Sequence, residues 1–299
     1  SISAFPKPSL RTKLIKEKFS NKRILLMSRT PAIESYSQWF HQFWISVFTP
    51  FSQYKNFYRW ADIFVNKKEK KIGTHSIIDY SDARTELIDD IIKPYIVKMT
   101  QAEAGIDIQI KEVFLHVKTP DSIQAFAKKL LNNKAIKLHE SNKYIMADTP
   151  TKMQTKIHQI LNGTCLVEDE HGATEPIILS NFKVDFIKEK FKDKKIIVMY
   201  YYQSERKMLE EAGIDCIQQS STEGVNLSEY DAIVYLNFGF SGKNFVQSRD
   251  RLSSVTRTKE NIIYFIFEEK GINEKIYNRV SKKQDFNLIA FNKDYETKR

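Results

Sequence analysis

Disulfide chemistry has almost nothing to work with in this chain. Its 299 residues include two cysteines, Cys165 and Cys216, at no paired spacing. That excludes a disulfide framework and a cysteine-based zinc site, and it points to a reduced, intracellular setting. Long apolar runs are missing as well. A stretch such as Ile262–Phe267 is far short of the roughly 20 residues that span a bilayer, and no charged-then-apolar leader opens the chain, so no membrane partner is expected. The six histidines are scattered. No pair stands at metal-ligand spacing and none joins a Ser/His/Asp or Cys/His arrangement, so no metal ligand set is expected in this chain. The sole Gly-Lys dipeptide, Gly242-Lys243, is followed by Asn244 instead of Ser or Thr. It reads as a strand-to-helix turn, not as a phosphate loop.

What is present is a globular composition, 41% hydrophobic and 28% charged. The length suggests two domains, placed here at residues 1–108 and 109–299. A net charge of +10 favours a polyanionic partner, most simply nucleic acid.

Residues 1–22 are polar and basic, with Pro6 and Pro8 forcing an extended entry. Arg23–Met27 is a compact apolar run that reads as a buried strand. A helix is predicted from about Ala32, with Thr30 as its cap and Pro31 at its first position. The aromatic-rich segment between Tyr36 and Phe64 reads as helix-packing core. Lys67–Lys71 (KKEKK) reads as a solvated loop, and Asp82–Met99 as a helix that Pro94 must break. A linker at 100–112 leads to a strand at Val113–Val117 and helices near 121–132 and 150–162. Cys165–Leu179 reads as a hairpin, with Asp169-Glu170-His171-Gly172 at its tip rather than in a catalytic carboxylate box.

From Asn181 onward helices and strands alternate. Helices are predicted at 181–191, 204–211, 243–252 and 272–282, and strands at 196–201, 215–219, 231–238 and 261–267. Such alternation means a parallel sheet covered on both faces, with ligands beyond the carboxyl ends of its strands. Gly224 and the Gln247–Arg251 helix are both expected just past strand ends of this kind. Helical spacing puts Gln247 and Arg251 on one face, as a phosphate site would need. Tyr200, Tyr201 and Tyr202 read as a sheet-end core cluster.

The residues between Gln218 and Arg257 carry a resemblance. Glu223-Gly224-Val225-Asn226-Leu227, the apolar strand after it and the Gln-x-x-x-Arg helix resemble the fifth and sixth motifs of SNF2-like superfamily 2 helicases. Residues 24–31 (ILLMSRTP) resemble the third motif, with Arg29 where Gly is usual. Asn181–Leu209 is similar to the fourth. In order and spacing these span nearly the whole chain. The resemblance implies a RecA-like second helicase lobe, α/β with helices on both faces of a parallel sheet, preceded by the helical C-terminal remnant of a first RecA-like lobe.

It also implies ATP and Mg²⁺ as cofactors and DNA as the partner. Arg251 would stabilise charge on the transferring phosphoryl group, with Gln247 beside it. Glu223, Gly224, Asn226 and Arg249 would lie toward the nucleotide, and Ser221 and Thr222 toward the nucleic-acid backbone. Ser254 stands where the family has a second arginine, which leaves Arg249 and Arg257 as substitutes. The Gly-Lys-Ser/Thr loop and acidic box are expected on an N-terminal lobe that would precede Ser1, so the chain by itself is expected to be inactive. The alternatives are a non-catalytic nucleic-acid-binding remnant of a split motor and an unrelated doubly wound enzyme such as a nucleotide-sugar transferase.

Overall fold

The computed structural model describes residues 2–28, 31–32, 35–72, 75–99, 103, 109–138, 142–221, 225–249, 259–282 and 284–294. The chain forms two compact units, Ser1–Thr100 and Gln101–Arg299. The boundary expected at 108 falls among residues 104–108, outside the described residues.

Unit 1 is built on aromatic side chains. Helix α1 (Leu10–Phe19) starts where the Ser9 hydroxyl accepts the Thr12 N–H at 3.2 Å. The short α2 (Trp39–Gln42) and α3 (Phe57–Phe64) follow, the latter capped by Asn56, whose side chain accepts the Arg59 N–H at 3.1 Å. Phe40 sits at the centre, 5.3 Å from the Trp60 ring and 5.6 Å from Phe57. Phe51 and Phe64 close the cluster from one side. Ile88 and Ile92 of α4 (Thr85–Ile92) join the same core. Pro94 ends that helix in a single 3₁₀ turn, Lys93–Tyr95.

Three readings of this unit are corrected. Residues 1–22 are not simply an extended entry, since α1 occupies half of them. The KKEKK run is not a loop: β1 (Lys68–Ile72) pairs antiparallel with β2 (His75–Asp79) in a two-stranded ribbon. Ion pairs from Lys67 to Asp62 and from Lys68 to Asp82 hold two of its lysines. Lastly, Arg23–Met27 lies in neither helix nor strand, and Leu25 and Met27 are exposed. Nothing among the described residues of unit 1 offers a third strand for it to pair with. The predicted helix cap Thr30 lies outside the described residues.

Unit 2 holds a five-stranded parallel sheet, β3 (Ile110–Val117), β8 (Ile196–Tyr200), β9 (Cys216–Gln218), β10 (Ala232–Tyr235) and β11 (Asn261–Glu268), in the order β3-β11-β10-β8-β9. Side chains along a strand alternate between faces, and here both faces are apolar. Ile197, Met199, Ile233, Tyr235, Ile263 and Phe265 belong to one core. Val198, Tyr200, Val234, Leu236 and Ile266 belong to the other. Helix α5 (Asp121–Asn133), α6 (Pro150–Leu161), α9 (Gly242–Arg249), α10 (Asn273–Val280) and α11 (Leu288–Asp294) serve the first face. Helix α7 (Phe182–Lys190) and α8 (Gln203–Glu211) serve the second. This is the α/β class expected, a parallel sheet with helices on both faces.

Between α5 and α7 the chain adds a four-stranded antiparallel sheet, β4 (Ala135–Lys137), β5 (Tyr144–Met146), β6 (Thr164–Glu168) and β7 (Thr174–Ile178). The hairpin β6–β7 was legible from its turn, where Asp169 accepts the His171 and Ala173 N–H groups at 2.9 and 2.8 Å. Gly163 joins α6 to β6 with φ +90°, and an added Cβ would lie 2.3 Å from the Ser180 carbonyl oxygen. Only glycine fits that corner.

Candidate functional site

The carboxyl ends of β8, β10 and β11 meet in a buried polar cluster. Glu205, in the first turn of α8, accepts the Tyr201 and Tyr202 N–H groups at 3.0 and 2.8 Å and so fixes the turn after β8. The Asn237 amide, just past β10, donates to the same carboxyl group. Gln219, just past β9, donates to the Asn237 carbonyl at 2.9 Å and accepts the Gly239 N–H at 3.1 Å. Gly239 is required here because a Cβ would lie 2.7 Å from the Tyr201 ring. The ends of β8, β9 and β10 are thereby tied together through the buried side chains of Glu205, Asn237 and Gln219.

Lys183 of α7 lies below this layer with its side chain fully buried. Its ammonium faces three acceptors: Asn162 Oδ1 at 2.5 Å, the Leu236 carbonyl at 3.0 Å and Glu268 Oε2 at 2.9 Å. Three acceptors match three N–H donors. Glu268 ends β11, and its Oε1 accepts the Ile272 and Asn273 N–H groups at 2.7 and 3.0 Å, which caps α10. Burial alone would raise the Glu268 carboxyl, but Lys183 and these N–H groups hold it below its usual range. Asn273 extends the network to His158, whose Nε2 lies 2.8 Å from Asn273 Oδ1 and whose Nδ1 lies 3.0 Å from the Tyr202 hydroxyl. With the Asn273 amide donating to Asn162 and Glu268, its oxygen must accept. His158 is therefore the Nε2–H tautomer, with Tyr202 donating to Nδ1.

Two buried groups in this cluster titrate in opposite senses. Burial pushes the Glu205 carboxyl up to about 7 and pulls His158 down to about 4. Unfolded, Glu205 loses its proton near 4.5, so between there and 7 the folded form holds the extra proton and stability falls as pH rises. Unfolded His158 gains a proton near 6.5, which the folded form refuses down to about 4, so stability falls as pH drops through that window. Each slope is about 1.4 kcal/mol per pH unit, and between pH 4.5 and 6.5 the two cancel. Glu205→Gln removes one of them. Denaturant unfolding at pH 4.5, 5.5 and 6.5 is expected to give the variant a slope about 1.4 kcal/mol per unit more positive than that of the parent chain. Equal slopes would contradict the assignment.

Of the residues expected to form the site, the described Ser221 and Arg249 fall at opposite ends of the sheet. Ser221 is exposed in a single 3₁₀ turn, Gln219–Ser221, at the carboxyl end of β9. Asn226 is exposed, and its side chain accepts the Ser228 N–H at 3.0 Å. Arg249 closes α9, its Nε 2.6 Å from Glu112 Oε1, while the Tyr277 hydroxyl donates to Oε2 at 2.9 Å. Glu112 stands near the start of β3, opposite Ile263 near the start of β11. Helix α9 therefore leaves the carboxyl end of β10 and runs back, so its last turn lies toward the amino ends of the strands. For the described part of the expected Gln247–Arg251 segment, which ends at Arg249, that differs from the expectation that it sits beyond the carboxyl ends. Gln247 is on α9; Thr222, Glu223, Gly224 and Arg251 lie outside the described residues.

A cavity of about 680 Å³ lies at the carboxyl ends of β3 and β11, lined by His116, Gln124, Lys128, Glu269, Lys270 and Glu274. Glu268 of the buried cluster lines it too, but none of the residues expected to form the site does. Among the described residues no group of three or more His, Cys, Asp or Glu side chains is placed to hold a metal ion, and the Arg249 guanidinium is already engaged by Glu112. The described side chains alone thus do not make up a phosphate and Mg²⁺ site. No helix of the described residues is long and apolar enough to cross a membrane.

Sequence reasoning missed the buried cluster, although two signals pointed to it. A lysine falls on the apolar face of α7, beside Val184 and Ile187, and a glutamate ends the apolar run of β11.

No protein-family model and no curated protein matches the chain. Among solved structures it is similar to the C-terminal part of the Fun30 ATPase domain, at 17% identity over 37% of this chain and 48% of that one, with a TM-score of 0.31. The chain thus spans about half the length of that relative. It is also similar to the Sulfolobus solfataricus SWI2/SNF2 ATPase core in complex with dsDNA, at 16% identity over 97% of this chain and 68% of that one, with a TM-score of 0.40.

Proposed function

We propose that this chain supplies the arginine-bearing half of an inter-lobe ATP site, together with nucleic-acid backbone contacts, in an ATP-dependent DNA helicase or translocase. The observation that carries the reading is the order of the motif-bearing segments on one parallel sheet. The segment like the fourth motif is α7, β8 and α8; that like the fifth follows β9 in sequence; that like the sixth begins on α9. Ser221 and Arg249 then fall at opposite ends of the sheet, joined by α9, whose eight residues span about 12 Å. A rigid helix between two ligand sites is a means of coupling them.

In this reading Ser221 and Thr222 donate to phosphate and sugar oxygens, which gives affinity with little sequence preference. Glu223, Gly224 and Asn226 lie against the nucleotide. Arg251 and Gln247 face its phosphates, and Arg249, held by Glu112, fixes the end of α9. When bound, ATP and its Mg²⁺ supply the phosphoryl group whose transfer drives stepping; their other ligands belong to a first RecA-like lobe.

The test is turnover. Residues 1–299 alone are expected to show no DNA-stimulated ATP hydrolysis, and activity is expected when a first RecA-like lobe is joined to them. Hydrolysis by residues 1–299 alone would overturn the site map. Salt-dependent DNA binding without turnover in the joined protein would leave a non-catalytic nucleic-acid-binding module.

A further inference from the structure

The rim of the unit 2 sheet carries an aromatic row that the cores do not absorb. β3 pairs with β11 on one side, and among the described residues no strand lies on its other side. Alternate residues of a strand share a face. Phe114 and His116 stand opposite Phe265 and Phe267, which belong to the first core, so both project on that face at the edge. The Phe114 ring lies nearly parallel to Phe265 and Phe267, with centroids 5.7 and 5.8 Å away, yet the residue is 46% exposed. The exposed His116 meets Phe267 edge-on at 5.6 Å, and Tyr277 of α10 backs Phe114 at 5.3 Å. Rings held by their neighbours and open to water form a stacking platform. The cavity of about 680 Å³ adjoins this row, since His116 lines it. Around it α5 supplies Lys128, the turn after β11 supplies Glu269 and Lys270, and α10 supplies Glu274 and Lys275. Glu268 lines it as well, but its charge is answered from within the fold by Lys183 and the α10 N–H groups.

We propose that the β3 edge and this cavity bind single-stranded nucleic acid, with Phe114 and His116 each stacking one base and the cavity lysines holding the adjoining phosphate. Aromatic residues two apart on a strand are separated by roughly 6.6 Å, and recognition sheets stack successive splayed bases on rows of this kind. Every base offers a π-face, so such a site tolerates sequence. A duplex cannot use the row, because its bases are already stacked and paired inside the helix. An acidic peptide would answer the lysines but leave the rings uncovered and set its carboxylates against Glu269 and Glu274. Base amino groups donate to those two carboxylates instead. The chain's net charge of +10 also favours a polyanion. The inference rests on unit 2 alone and not on the helicase reading, whose contact at Ser221 lies at the opposite edge of the sheet, past β9.

The probes are a fluorescein-labelled DNA strand of ten nucleotides, the RNA of the same sequence, and the DNA annealed to its complement, each titrated with the 299-residue chain. Phe114→Ala combined with His116→Ala should weaken single-strand binding at least 10-fold and change duplex affinity less than 2-fold. The tighter of the DNA and RNA strands names the natural sugar. Lys128→Gln, at an exposed position, should lower the salt slope of single-strand binding by about 0.7, the share of one phosphate contact. Strands carrying 5-iodouracil should crosslink on irradiation to Phe114, His116 or Tyr277. No loss in the double variant, equal loss for single strand and duplex, or crosslinks confined to residues away from β3 would overturn the proposal. Phe114→Ala also removes packing on Phe265, so if that variant fails to fold, His116→Ala alone and the crosslink map of the parent chain decide. ATP turnover is not read, so failure here leaves the Arg251 test standing, and the converse holds.

Discussion

Arg251→Ala, in the chain joined to a first RecA-like lobe, is expected to lower the DNA-stimulated kcat by about 10³- to 10⁵-fold, the range over which an arginine stabilises a transferring phosphoryl group. Equilibrium ATP binding should change by only a few fold, because most ground-state contacts would come from the other lobe. The reason for choosing arginine at this step is its permanent charge and its ability to hold two oxygens together. Arg251→Lys keeps the charge but not the two-oxygen geometry, so it should recover little. Arg249→Ala is the informative contrast. Its guanidinium is bound to Glu112, so its loss should loosen the end of α9 and lower activity far less than loss of Arg251. Near-normal turnover by Arg251→Ala, or a larger loss from Arg249→Ala, would reverse the two assignments.

The parallel sheet of unit 2 was legible because its elements obey two separable periods. Ile196–Tyr200 and Asn261–Glu268 are too short and too uniformly apolar for surface helices, and amphipathic segments alternate with them. The two three-residue strands β4 and β5 were missed because three residues carry no readable period; they exist by pairing with each other and, through Tyr144 and Glu168, with the hairpin. Arg23–Met27 was misread for the opposite reason. Its composition is that of a strand, but a strand needs partners, and composition cannot supply them. KKEKK was misread because charge reports exposure, and a two-stranded ribbon is exposed while still hydrogen-bonded. In the site, motif spacing marked Gln247, Arg249 and Arg251, yet it could not tell which end of the sheet the last turn of α9, with Arg249, occupies. That depends on α9 running antiparallel to the strands. The buried Lys183–Glu268 pair joins positions 85 residues apart, and no local pattern links them.

That pair yields the largest expected loss of stability. Lys183→Met is expected to cost about 3–5 kcal/mol, the usual result of leaving one charge of a buried pair uncompensated. Methionine fills most of the volume, so a cavity contributes little, but Glu268 would keep its charge with only N–H groups to answer it, and the Leu236 carbonyl would lose its donor. Protonating Glu268 relieves the first of these penalties. The loss should therefore shrink as pH falls, as expected for a carboxyl whose pKa rises once the ammonium is gone. Adding Glu268→Gln to Lys183→Met should recover most of the stability, because the amide oxygen still accepts the Ile272 and Asn273 N–H groups that cap α10. Hydrogen exchange of the β10 and β11 amides reads these changes directly. All three tryptophans, Trp39, Trp44 and Trp60, lie in unit 1, so fluorescence reports that unit separately. A loss below about 1 kcal/mol, or one independent of pH, would mean that the ammonium is not what holds the Glu268 charge in the interior.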